Sequence, residues 1–112
     1  MTLSEVYKRL LRTGFPVAYR DFTAELSGIP EPPFIVYRVL SEEFNGGDIR
    51  RFIKESLIDV ELYTKGKDLA AEELVDGVLL DFADIEKYES AIDEGFTLVR
   101  YTFTIREFLK GR

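Results

Sequence analysis

The sequence predicts a single α+β domain, residues 1–112, built as a mainly antiparallel sheet with two helices on one face in the order α-β-β-β-α-β-β. Three observations predict it. Segments with helical spacing of apolar residues begin at Leu3 and after Asp68, strand-like runs occupy Phe34 to Leu40 and Leu57 to Thr64 between them, and a closing pair of strands follows from Ile85 onward. A length of 112 residues suits one core, and a 46% hydrophobic share with nine Phe and six Tyr fills it without a metal or disulfide staple. No repeat, low-complexity tract or linker divides the chain.

Thr2-Leu3-Ser4-Glu5 has the form of a capping box, so the first helix starts near Leu3. Leu3, Val6, Tyr7, Leu10 and Leu11 form its apolar stripe, with Glu5, Lys8, Arg9 and Arg12 outward. Thr13-Gly14 ends it, and Pro16 prevents resumption. Val17 to Phe22 reads as a short strand. Ser27 to Pro33 holds three of the four prolines and is expected to be an extended connector.

In the run Leu57 to Thr64, Ile58, Val60 and Leu62 alternate with Asp59 and Glu61, which predicts one buried face and one wet face. Ile35 then opposes either Ile58 or, with a longer loop, Leu62. Between the two strands, residues 41–56 centre on Asn45-Gly46-Gly47, good hairpin-turn chemistry. Phe44, Ile49, Phe52 and Ile53 keep no simple period of two there. The segment is either an irregular hairpin folded on itself or an arm that contacts a partner through Phe44, Ile49, Arg50, Arg51, Phe52 and Ile53.

Asp68 is the expected N-cap of the second helix, whose stripe is Ala71, Leu74, Val75, Val78, Leu79 and Phe82, with Glu72, Glu73 and Asp76 facing water. Gly77 marks either a close backbone approach or a tolerated poor helix former. Ile85 to Ala91 is a strand, Asp93-Glu94-Gly95 a turn, and Phe96 to Phe108 the last strand. In it Val99, Tyr101, Phe103 and Ile105 alternate against Arg100, Thr102, Thr104 and Arg106.

The chain contains neither His nor Cys, which removes the commonest general base, nitrogen metal ligand and thiolate nucleophile. Gly46-Gly47 is not followed by the lysine and hydroxyl of a phosphate-gripping loop. No catalytic, cofactor-binding or metal site is therefore expected. Asp81, Asp84 and Glu86 cluster after the second helix, but their spacing matches no established calcium loop, and a solvated acidic helix end explains them better. The six tyrosines are scattered without interleaved basic residues and read as packing groups.

With 15 Lys and Arg against 21 Asp and Glu, the net charge is -6, which disfavours sequence-specific nucleic-acid binding and anionic membranes. No apolar stretch approaches the roughly 20 residues needed to span a bilayer, and no secretory signal pattern opens the chain, so a cytosolic location is expected.

Gly14 to Tyr19, Pro32 to Tyr37, and Asp59 to Thr64 with Lys67-Asp68, followed by the last hairpin, resemble in order and spacing the tail-completion (head-to-tail joining) proteins of long-tailed phages and of prophages in Gram-positive bacteria. The similarity spans nearly the whole chain. At this level tail completion, tail terminator and head closure proteins share the pattern. The resemblance implies a non-enzymatic virion protein, assembled in the host cytoplasm, that joins the tail-tube protein to the head-connector protein as a ring expected to be a hexamer. Strand edges and the Glu42 to Lys54 arm would then join neighbouring copies by β-addition and apolar contact, and an acidic bore would let DNA slide. A bacterial protein-binding adaptor unrelated to virions is the alternative, and a carboxylate-based enzyme a further one.

Overall fold

The computed structural model describes residues 1–22, 29–48, 51–82, 84–92 and 95–110. These form α1 (Leu3–Leu11), β1 (Val17–Tyr19), β2 (Phe34–Asp48), β3 (Arg51–Lys65), α2 (Leu69–Val78), β4 (Glu86–Ala91) and β5 (Phe96–Lys110), in the predicted order. The strands make one five-stranded sheet ordered β1-β2-β3-β5-β4. Only β1 runs parallel to its neighbour; every other pair is antiparallel.

Both helices pack on the same face. Thr2 caps α1 by accepting the Glu5 N–H at 3.2 Å, while its hydroxyl donates to the Glu5 carboxylate at 3.4 Å. Asp68 caps α2 by accepting the Ala71 N–H at 3.0 Å. Val6 and Leu10 from α1, with Ala71 and Val75 from α2 and Leu79 just beyond, meet Ile35, Ile58, Val60, Leu62, Val99, Tyr101 and Phe103 of the sheet. The stripes are narrower than predicted: Leu11 is 46% and Leu74 48% exposed. Each short helix touches the sheet along a single line, which its flanking apolar positions miss. A Cβ at Gly77 would meet nothing within 4 Å, so that glycine marks no backbone approach.

Strand limits differ from expectation for identifiable reasons. β1 stops at Tyr19 instead of reaching Phe22, because Arg20 has φ +74, outside the β region; its N–H makes one last bond to the Tyr37 carbonyl at 2.8 Å. Positions 27 and 28 of the proline-rich connector lie outside the described residues, as do 93 and 94 of the last turn. Ile35 opposes Leu62, the longer-looped of the two registers. Asn45-Gly46-Gly47 does not form the turn: β2 continues to Asp48, a register shift between Asn45 and Asp48 absorbs the glycines, and Asp48 pairs with Arg51.

The outcome is three long strands. β2, β3 and β5 have 15 residues each, and at 3.3 Å per residue each spans about 50 Å. That matches the longest molecular dimension of 51 Å. β1 pairs only with Ile35, Val36 and Tyr37 of β2, and β4 only with Thr97 to Thr102 of β5. Beyond those limits β2, β3 and β5 continue as a three-stranded arm.

Candidate functional site: an open arm and a charged lattice

The arm contains the predicted partner-contacting residues, and the structure separates them. Phe44 stands opposite Lys54, whereas Ile53 stands opposite Asn45 and Phe108, so Phe44 and Ile53 project from opposite faces. Phe44 is 61% exposed and Ile53 half-buried. Arg51 and Phe52 begin β3, and Ile49 and Arg50 lie outside the described residues. The sequence reading missed Phe108, which is 74% exposed. Its signal was available: Phe108 falls out of step with Val99, Tyr101, Phe103 and Ile105, the odd-numbered buried positions of β5.

Charged side chains pair across the strands of the arm. Lys54 pairs with Glu42 at 2.9 Å, and Arg106 with Glu55 at 3.3 Å. Glu43 lies directly opposite Glu55, is exposed, and has no ion-pair partner among the described residues. Along their outer edges, β2 after Tyr37 and β5 after Thr102 pair with no further strand among the described residues.

The helix-free face of the body corrects another expectation. Asp59 and Glu61, predicted to face water, are 1% and 2% exposed. The reason is cross-strand geometry: Arg38 on β2 opposes Asp59, and Arg100 on β5 opposes Glu61, so two guanidiniums flank two carboxylates of β3. Arg38 reaches Asp59 at 3.2 Å and Glu61 at 2.6 Å; Arg100 reaches Glu61 at 2.7 Å and Asp59 at 3.2 Å. The arginine stems lie over the acids while their side chains remain 41% and 44% exposed. Tyr63 donates to Glu61 at 2.9 Å and stacks on Phe34 with 4.8 Å between centroids, tying the lattice to the apolar patch of Ala18, Phe22 and Val36.

The two acids titrate differently. Burial and the neighbouring Glu61 push Asp59 up to about 6, against the pull of Arg100 and Arg38. Its contact with Arg100 Nε lacks hydrogen-bond alignment, which leaves Asp59 Oδ1 without a donor. Burial opposes ionisation of Glu61 as well, but hydrogen bonds from Asp59, Arg100, Arg38 and Tyr63 outweigh it and hold Glu61 below the ordinary range. Burial and the bond to Glu61 push the Tyr63 phenol up to about 12.

Glu72 also departs from expectation. It is 4% exposed, not water-facing, because Lys67 and Lys87 close on it at 2.7 Å and 3.0 Å. Burial would raise its pKa, yet the two lysines hold it below normal. Lys87 also pairs with Asp76 at 3.2 Å, and the Tyr101 hydroxyl donates to Asp76 at 2.7 Å, so this cluster fastens α2 to β4 and β5. Asp81, Asp84 and Glu86 do not converge: Asp81 pairs with Arg9 at 2.9 Å and Glu86 accepts a hydrogen bond from Tyr88. Among the described residues no group of three or more potential metal ligands comes together, and no helix is long and apolar enough to cross a membrane.

The chain matches no protein-family model and no curated protein.

Proposed function

We propose that this chain is a non-enzymatic structural protein of a phage or prophage particle, joining the tail tube to the head connector as one copy of a ring, a hexamer in the assembled virion. The observation that carries the reading is the arm. Three 15-residue strands extend past the helices with two open edges and with Phe44 and Phe108 exposed on opposite faces, surfaces suited to docking between protein subunits. The order and spacing of the Gly14, Pro32 and Asp59 segments support the particular assignment, and the rigid body behind the arm supplies the anchor a joint requires.

The test uses particles arrested before joining. Purified protein is mixed with isolated tail tubes and with DNA-filled heads, and joined particles are counted by electron microscopy. Binding to tube ends and recovery of joined particles are expected. Absence of the chain from purified particles, or failure to bind tube ends, overturns the assignment.

A further inference from the structure

The arm's two edges are complementary to each other. β2 and β5 are both antiparallel to β3, so they run parallel to one another on opposite sides of the arm. Across the arm one row reads Glu43, Glu55, Arg106. Two carboxylates stand directly opposite in it, an unfavourable pairing within one chain, and the only cation lies at the far edge. Placing a second copy alongside with the same orientation continues the row, so that Arg106 of one copy sits between its own Glu55 and Glu43 of the next.

The geometry points to a head-to-tail contact between copies of this chain, in which the free edge of β5 in one copy adds in parallel to the free edge of β2 in the next, with Arg106 against Glu43. The occupant of each edge is thus a second copy, and the inference rests on the ring proposed above. Charge argues against the two-fold alternatives. Joining β2 to β2 would set Glu42 and Glu43 against the same acids, and joining β5 to β5 would set Arg106 against itself. A contact between two different edges closes into a ring or grows as a filament, whereas either two-fold contact stops at a dimer. The Met1 ammonium, which donates to the Arg106 carbonyl at 3.1 Å on the β5 side, must move on docking, and because β4 of one copy and β1 of the next stand between the two bodies, the strands splay there and join only along the outer part of the arm.

The chain has no cysteine, which makes cross-linking decisive. Positions 43 and 106 are two strand spacings apart within one copy, about 10 Å, too far for an internal disulfide, whose Cα atoms lie within about 7 Å. Mild oxidation of the double variant Glu43→Cys, Arg106→Cys, in the full chain with purified tail tubes present, is expected to give a ladder of covalent multimers. A mixture of the two single variants is expected to give mainly one-to-one dimers. Dimers from either single variant alone, or no multimers from the double variant, overturn the inference. A charge arm checks it independently: Glu43→Arg and Arg106→Glu should each lose association, and an equimolar mixture should regain it, because every junction then pairs opposite charges. Tube-end binding is scored on the same samples. If binding persists without the ladder, this contact is wrong and the joining role stands; if tube-end binding is absent from the unsubstituted protein, the joining role fails.

Discussion

The same three strands pass through two regions that treat them differently. In the body, β2, β3 and β5 are covered by helices on one face and by the arginine lattice on the other, and β1 and β4 protect their edges. Outward of Ser56 and Ile105, which are still buried, neither helices nor further strands among the described residues cover the arm, and large apolar groups such as Phe44 and Phe108 stand in solvent. The difference separates stability from docking: folding free energy concentrates in the body, so the arm can keep unpaired edges at little cost to the fold. Substitutions in the two regions should therefore act on different measurements.

Leu62→Ala should have the largest effect. Leu62 is fully buried between Ile35 and Val99 beneath the helices, and truncating such a side chain costs about 3 kcal/mol. Chemical denaturation should show that loss. A cost under about 1 kcal/mol would mean that the body is not the stabilising region.

Glu61→Gln tests the other face of the body. It leaves Arg38 and Arg100 with Asp59 as their only nearby carboxylate in the lattice. Because both guanidiniums are more than a third exposed, solvent offsets part of the loss, and the expected cost is about 2 kcal/mol, below the full figure for a buried pair. An unchanged denaturation midpoint would reduce the lattice to surface decoration.

Asp59 adds a pH dependence with a definite sign. Its pKa is raised from the ordinary 3.8 to about 6, so between those values the folded state holds the proton more firmly than the unfolded chain. Asp59 therefore contributes most stability below about pH 4, and that contribution declines as pH rises through 6. The rise caps the effect at about 3 kcal/mol, and sharing of the titration with Glu61 brings the expected change to about 1 kcal/mol. Asp59→Asn should lack this decline, so its stability relative to the unsubstituted protein should improve from pH 4 to pH 7. Parallel stability curves for the two proteins would place the titration elsewhere. Glu61 and Glu72, whose pKa values are lowered, act in the opposite direction and lose stabilisation at lower pH in both proteins.

How far the sequence revealed this arrangement depended on the range of the interaction. Caps and stripes are local, and Thr2, Asp68, Val6, Leu10 and Val75 behave as their spacing predicts. Alternation along β3 identified Ile58, Val60 and Leu62 as the helix-covered side. It could not reveal that Asp59 and Glu61 are buried, because their covers come from positions 38 and 100 on two other strands. Once Ile35 is set opposite Leu62, Arg38 falls opposite Asp59, so opposite charges on facing strands were the missing signal. Asn45-Gly46-Gly47 misled for a related reason: turn chemistry is local, while pairing of β3 with β5 carries the ladder past it to Asp48 and Arg51.

Phe44→Ser should have the smallest effect on the fold and thereby gives the sharpest contrast. Phe44 is 61% exposed, lies beyond the helices and stands opposite Lys54, so removing its ring uncovers little that was buried. The expected change in stability is within about 0.5 kcal/mol. If the arm docks on other subunits, the same substitution should weaken tube-end binding several-fold, since an exposed aromatic gains most of its burial at an interface. Denaturation and binding measured on one preparation separate the regions: Leu62→Ala moves the first, Phe44→Ser the second. A Phe44→Ser protein that binds tube ends unchanged would remove this ring from the docking surface, and one that unfolds readily would show that the arm supports the body after all.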